Sequence, residues 1–368
     1  MDLNFILWDV SPEIFSIGPL HVRWYGLLFA LGFLIGQQIL IRIYKQEGKS
    51  EKDVETLTIY MVLATIIGAR LGHVFFYDWP EYKDNLIKIL YIWEGGLASH
   101  GAAIGILIAI YLYSKKATHQ NYFYVLDRLV ITVAFAGCLI RLGNLMNSEI
   151  IGTPTNAPTA FLFVSDTERL LEEKAPKIVT NAEISETGEK IQDYRRNINL
   201  SEISISIDLK KNKLSKEQAA PFVSTLIRDS VSIYSSVAEN VEFPYPVNPV
   251  IQENPDGSLK AVVKAYAIPR HPAQLYESAS SFLLFLLLLY IYNRKKGQTP
   301  EGRLFGLFVV ILFTLRFLYE FDKENQVAFE TQMIEQIGIN IGQLLSIPFV
   351  LAGIFILLRS FKKKNEVI

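Results

Sequence analysis

Seven apolar stretches constrain this chain more than any other feature. They run from Trp24 to Tyr44, Val54 to Phe76, Leu97 to Tyr113, Val125 to Met146, Pro272 to Tyr292, Leu304 to Phe321 and Ile339 to Leu358. Each is long enough, or nearly so, to cross about 30 Å of hydrocarbon as a helix. Only 20% of the residues are charged and half are apolar, whereas a soluble domain carries about 25% charge. The third stretch is the shortest, and "EGG" at Glu94 to Gly96 implies a broken or re-entrant start. The first residues lack the basic n-region and small-residue cleavage site of an ordinary signal peptide. A net charge of −1 gives no nucleic-acid footprint. Cys138 is the single cysteine, so neither an internal disulfide nor a zinc ribbon can form.

Lysine and arginine in the short connections set the expected orientation. The segments from Arg42 ("RIYKQEGKSEK"), at Lys115 and Lys116, from Asn293 ("NRKK") and from Arg359 ("RSFKKK") all fall on one side. On the other side Arg23, Lys83 and Lys323 are nearly alone among the short segments. The expectation is seven transmembrane helices, with the N-terminus outside and the C-terminus inside.

Between the fourth and fifth stretches the polar connection from Gly152 to Ile268 interrupts the pattern of short loops. In "SEISISIDL" the apolar Ile203, Ile205, Ile207 and Leu209 alternate with polar residues, as in a half-buried strand. "KAVVKAYAI" (Lys260 to Ile268) can pair with it, and Ser215 opens a capped helix whose start Pro221 limits. The expected organisation is membrane domain over 1–151 (spans 1–4), a small α+β extracytoplasmic insertion over 152–268, and membrane domain again over 269–368 (spans 5–7). Apart from that insertion the fold class is all-α and polytopic.

At about 1.5 Å rise per residue, each intramembrane polar side chain can be given a depth. Arg70 and His73, Arg141 and Asn144, and Arg316 and Glu320 come late in stretches running outward. Tyr25, His100, Gln274, Tyr276 and Glu277 come early in stretches running inward. All therefore fall near the outer third of the bilayer. A single arginine near a helix end can simply snorkel, and Arg316 and Glu320 can simply pair at i,i+4. Burying an arginine costs about 2.5–3.5 kcal/mol on insertion scales, so three at one depth, with a histidine and carboxylates, point to a site.

The stretch "RLGNLMNSEIIG" (Arg141 to Gly152) ends the fourth apolar run. There Gly137, Arg141, Asn144 and Ser148 share one face at helical spacing, and Gly143 on the other side suits a close helix contact. "GARLG" (Gly68 to Gly72) and "GAAIG" (Gly101 to Gly105) are small-xxx-small patterns, usually plain packing, which here flank Arg70 and His100. Guanidinium groups fork onto phosphate oxygens, and at outer-leaflet depth the nearest phosphate is a phospholipid head group. His100 is the candidate general base, although a histidine among glycines and alanines is more often a helix-to-helix hydrogen-bond partner. Ser99 and His100 are adjacent, so on a helix they point roughly 100° apart and make a poor protease dyad. No spacing fits a metal site, and no cofactor is expected.

These residues carry a resemblance. "RLGNLMNSEIIG" resembles the signature of bacterial prolipoprotein diacylglyceryl transferases, in the form R-x-G-N-x-x-N-x-E-x-x-G. "FSIGPLHVRWYG", "GARLGHVFFY", "GGLASHG", "RHPAQLYE", "LRFLYEF" and "GQLLSIP" follow in that family's order and touch all seven apolar stretches. The resemblance implies transfer of the diacylglyceryl group of phosphatidylglycerol to the lipobox cysteine of a prolipoprotein, with release of glycerol phosphate. It also implies a bacterial cytoplasmic (inner) membrane location with the site toward the outer leaflet. The partners are then phosphatidylglycerol, lipobox signal peptides and membrane lipid, with no nucleic acid. By motif position Tyr25, His100, Arg141, Asn144, Asn147, Glu149, Gly152, Arg316 and Glu320 inherit the family's functional roles. Two departures stand out: Leu312 replaces a frequent aromatic residue, and the outer insertion is longer than in many members.

His100, Arg141, Arg316 and Tyr25 are the expected catalytic residues. Arg141, Asn144, Asn147, Glu149, Gly152, Arg316, Glu320, Arg70, Tyr276 and Glu277 are the expected substrate-binding residues. His100 would take the thiol proton, Arg141 and Arg316 would stabilise the leaving phosphate, and Glu320 would orient Arg316. Glu149 with Asn144 would order the site or bind the head-group glycerol. Cys138, three residues before Arg141, is expected to be a buried small hydrophobe rather than a nucleophile. An outer-leaflet phospholipid or anion transporter is the alternative from another class, but no internal repeat marks one.

Overall fold

The computed structural model describes residues 5–18, 20–92, 95–117, 120–295, 298–323 and 338–365. In chain order the elements are β1 (Ile6–Trp8), β2 (Glu13–Ile17), β3 (Leu20–Arg23), α1 (Trp24–Gln46), α2 (Glu51–Phe76), α3 (Trp79–Tyr82), α4 (Ser99–Lys116) and α5 (Tyr122–Met146). There follow β4 (Phe161–Phe163), α6 (Ser165–Lys174), β5 (Val179–Asp193), β6 (Ile198–Leu209), α7 (Lys216–Leu226), α8 (Ser235–Ala238), β7 (Val241–Glu242), β8 (Val250–Glu253) and β9 (Leu259–Ala267). The chain ends with α9 (Ala273–Arg294), α10 (Arg303–Tyr319) and α11 (Ile341–Asn365), with short 3-10 turns at Leu86–Leu90 and Glu320–Asp322.

Among the described residues, six helices are long and apolar enough to cross a membrane: α1, α2, α5, α9, α10 with its 3-10 extension, and α11. The chain therefore reads as a multi-pass membrane protein. Helix α4, the third expected span, has 18 residues and is more polar, because His100, Ser114, Lys115 and Lys116 lie within it. The broken start expected before it is visible at Gly95 (φ +91°) and Gly96 (φ +70°), while Glu94 lies outside the described residues.

Contacts divide the chain into two compact units. One holds the described residues of Leu28–Ile140, Ser278–Glu320 and Phe329–Ile368. Its buried core includes Leu40, Tyr44, Leu57, Ile110, Ile131, Leu288 and Tyr292. The sequence starts α2 with Ser50, whose hydroxyl accepts from Lys52 N, followed by Glu51 and Asp53 in the first turn. Asp127, fully buried, caps α10 from another helix by accepting from Gly302 N and Phe305 N, each at 2.8 Å. The two small-residue patterns do meet. A Cβ added to Gly101 would lie 2.6 Å from Gly72 Cα, and one added to Gly105 would lie 2.7 Å from Ala64 O. Only glycine lets α2 and α4 approach this closely.

The other unit holds the described residues of Met1–Leu27, Arg141–Glu277 and Phe321–Ala328. Its sheet has the order β5-β6-β9-β7, with β8 also on β9. Strands β6 and β9 pair antiparallel with Ile205 opposite Val263, the pairing the alternation led us to expect. Ile203, Ile205, Ile207 and Val263 are buried with Leu171, Val223 and Ile227 from the helical layer. Helix α7 runs through Pro221, so that proline does not limit its start. The proline falls in the second turn, where it removes only one intrahelical bond. The open edge of β5 is closed by carboxylates of α6: Ile184 N donates to Glu168 (2.7 Å) and Ala182 N to Glu172 (2.9 Å). Two features had no sequence forecast: the β2–β3 hairpin, and the parallel pairing of β1 with β4.

Candidate active site

The quoted stretch folds into a Schellman turn. Glu149 N donates to Asn144 O at 3.1 Å and Ser148 N to Leu145 O at 3.0 Å, with Ser148 left-handed at φ +53°. Helix α5 therefore ends at Met146, and Ser148 leaves the face it was expected to share with Arg141. The reversal carries the Glu149 side chain back over the helix end. There Glu149 Oε1 accepts from Asn144 Nδ2 (2.8 Å) and Asn147 Nδ2 (3.2 Å). Gln274 Nε2 donates to the Glu149 carbonyl at 2.7 Å and fixes the turn.

Arg141 stands at the edge of this cluster. Its Nε lies 2.7 Å from Glu277 Oε2, with the arginine side chain 27% and the glutamate 10% exposed. Its one hydrogen bond among the described residues is long, from Nη1 to Asn144 Oδ1 at 3.4 Å. Among the described residues, Nη2 of this guanidinium makes no hydrogen bond. The other Glu277 oxygen, Oε1, lies 2.8 Å from Lys323 Nζ.

The neighbouring residues hold these groups in place. Tyr25 packs on the backbone of Gly143, where an added Cβ would lie 2.8 Å from Tyr25 Cδ2. That is the close contact Gly143 was expected to make. Gly152 N donates to His271 O at 3.0 Å, and Gly152 O accepts from Arg270 Nη1 at 3.0 Å. A Cβ at Gly152 would strike His271 O at 2.7 Å, so a bare glycine is needed for this approach. Tyr276 OH lies 3.3 Å from His271 Nδ1. Eight of the expected residues, Tyr25, Arg141, Asn144, Asn147, Glu149, Gly152, Tyr276 and Glu277, thus belong to one unit.

The remaining four, Arg70, His100, Arg316 and Glu320, belong to the other unit. Arg70 is 3% exposed and spends its donors on backbone. Nε donates to Ile89 O (2.8 Å), Nη2 to Lys88 O (2.7 Å), and Nη1 to Gly95 O (2.6 Å) and Gly96 O (3.3 Å). Gly96 also lies against His73, whose Nε2 is 2.8 Å from Asp78. His100 is the second residue of α4, with Phe76 and Tyr77 rings 5.0 and 5.7 Å from its own. Arg316 is exposed near the end of α10.

Glu320 does not pair with Arg316. Its carboxylate lies against Gly342, where a Cβ would be 2.5 Å from Glu320 Cδ, and takes a hydrogen bond from Asn340 Nδ2 at 3.3 Å. The backbone stays helical here, with Glu320 N donating to Arg316 O, so the side chain's direction rather than a break in the helix sets its partners. Cys138 is buried, with its Sγ 3.2 Å from Ser278 Oγ.

Sequence reasoning missed Lys323, which had entered only as a topology marker, and Asn340. The signal for Lys323 was its place three residues after Glu320, two positions beyond the "YEF" of the sixth span.

Comparison with known proteins bears on the chain as a whole. The family described as prolipoprotein diacylglyceryl transferase matches residues 12–359. The chain is 33% identical over 359 residues to the phosphatidylglycerol–prolipoprotein diacylglyceryl transferase of Tolumonas auensis, covering 98% of this chain and 99% of that one. It is 32% identical over 360 residues to the protein of that name from Chloroherpeton thalassium (98% and 96% covered). The figure for Porphyromonas gingivalis is 33% over 360 residues (97% and 95% covered). With a match from one end to the other, the chain belongs to the prolipoprotein diacylglyceryl transferase family.

Proposed function

We infer that this membrane protein transfers the diacylglyceryl group of phosphatidylglycerol to the thiol of the lipobox cysteine of a prolipoprotein, the first step of lipoprotein maturation. The observation that carries this beyond family membership is Arg141. Its guanidinium is held at Nε by Glu277 and is otherwise largely unengaged, which suits a fork onto a phosphate.

The chemistry is a displacement at the terminal glyceryl carbon. The thiol gives its proton to a base and its sulfur forms the new C–S bond. The C–O bond to the phosphate breaks, and its electron pair leaves as glycerol phosphate. A thiol near pKa 8.5 needs that base, and His100 is the group assigned to it. Arg141 and Arg316 are assigned to the developing phosphate charge, the interaction that grows in the transition state. Tyr25 completes the catalytic set. Glu149, held between Asn144 and Asn147, binds the head-group glycerol with those two amides. Glu320 acts through Asn340 rather than through Arg316. Arg70 and Gly152 support the site through the backbone they hold, while Tyr276 and Glu277 flank the substrate.

The protein sits in the bacterial inner membrane with α4 as a seventh span, the N-terminus and the 152–268 insertion outside, and the site toward the outer leaflet. The lysine and arginine distribution supports this topology. Reporter fusions after Glu47, Ser114, Asn293 and Lys364 all report cytoplasm on this reading, and an outside signal from the last excludes it.

The reaction is tested with purified protein in phosphatidylglycerol vesicles and a lipobox peptide. A thioether-linked diacylglyceryl group on the peptide cysteine, with one glycerol phosphate released per peptide, supports an enzyme. Lipid that moves between leaflets with no peptide adduct supports the transporter instead.

A further inference from the structure

We propose that Lys323 is a positioning residue that keeps Glu277 from closing on the Arg141 fork. The proposal rests on the transfer reaction described above. It starts from how one carboxylate is shared: Oε2 lies 2.7 Å from Arg141 Nε, and Oε1 lies 2.8 Å from Lys323 Nζ. Carboxylate and guanidinium prefer a two-point pairing with parallel N–H···O bonds. Here Glu277 is mostly buried beside Arg141, with Oε2 against Nε at 2.7 Å. Its second oxygen is turned to the lysine.

The position of Lys323 is itself fixed. Its backbone bridges to Gly152, and Thr153 N donates to Asp322 O at 2.8 Å. Gly152 has no side chain to push this segment away, since a Cβ there would lie 3.2 Å from Asp322 O. The ammonium therefore sits on a pinned strand rather than on a free tail, with its side chain 16% exposed. Without it, Glu277 can rotate both oxygens onto Arg141. The internal carboxylate then competes with the lipid phosphate for the same N–H groups, and the binding-competent fraction falls.

The test is steady-state transfer to a lipobox peptide, with phosphatidylglycerol varied, for the wild type, Lys323→Met, Lys323→Arg, Glu277→Gln and the Lys323→Met/Glu277→Gln pair. If nine-tenths of Lys323→Met has a closed fork, KM for phosphatidylglycerol rises about tenfold. Lys323→Arg keeps the cation and stays near the wild-type KM. The pair behaves like Glu277→Gln alone, because a neutral amide closes the fork poorly whether or not the lysine is there. A merely structural ion pair gives a different pattern, in which the pair is at least as impaired as Lys323→Met. That pattern, or an unchanged KM in Lys323→Met, overturns the proposal. Should Lys323→Met fail to fold, the comparison of Glu277→Gln with the pair decides it. A wild type that transfers nothing refutes the transfer reaction instead, and is distinguishable at once.

Discussion

The Arg70 guanidinium grips the Gly95 carbonyl at 2.6 Å, and through that bond and its neighbours it ties the loop ahead of His100 to α2. Four carbonyls, from Lys88, Ile89, Gly95 and Gly96, share one buried cation. A lysine is a point charge and cannot span them. Arg70→Lys is therefore expected to lower kcat by about a hundredfold through misplacement of His100, with KM for phosphatidylglycerol little changed. A raised KM with normal kcat would instead make Arg70 a direct lipid ligand.

Close packing of α2 and α4 rests on glycine alone. Gly101→Val places a branched side chain where even a Cβ meets Gly72 Cα at 2.6 Å. The variant should lose about 1–3 kcal/mol of stability, read as a lower unfolding temperature in detergent. Unchanged unfolding would mean that the helices can separate without penalty.

Glu168 gives a pH dependence with a definite sign. Burial, aided by Asp9, Glu172 and Glu183, pushes its carboxyl up to about 7 although Ile184 N–H favours the charged form. The folded state thus holds this proton more tightly than the unfolded chain, whose value is 4.5. Its contribution is fully present below about pH 4.5 and is lost as pH rises to and through about 7. Glu168→Gln should flatten the fall in stability over that window. Parallel unfolding-temperature profiles for the two proteins would contradict this.

Cys138 should be dispensable. It is buried against Ser278, and a thioether formed on it would be a poor leaving group for a second transfer. Cys138→Ala is expected to retain turnover within about twofold, as a small substitution away from the reacting atoms. A collapse with intact folding, and a lipid adduct trapped on wild-type Cys138, would show a two-step route.

What could be read from sequence depended on how local the cause was. The long helices followed from apolar runs, and β6 from the alternation of Ile203, Ile205 and Ile207, because both periods are set within one segment. Glu149 was placed with Asn144 from the motif. Its actual return over the helix end depends on a serine at φ +53°, a conformation no pattern demanded. Arg316 and Glu320 could pair at i,i+4, yet the Glu320 carboxylate lies against Gly342 and takes a hydrogen bond from Asn340, residues distant in sequence. Lys323 reaches Glu277, and β1 reaches β4, only across long separations in sequence. Such contacts are tertiary, so periodicity carries no record of them.

The central claim is displacement at the glyceryl carbon with phosphate as the leaving group. It is tested most directly with phosphatidylglycerol carrying oxygen-18 in the bridge between the diacylglyceryl carbon and phosphorus. The purified protein and a lipobox peptide should yield a thioether-linked peptide without the label, and glycerol phosphate that retains it. Label left on diacylglycerol, with the peptide unmodified, would mean attack at phosphorus and would contradict the account.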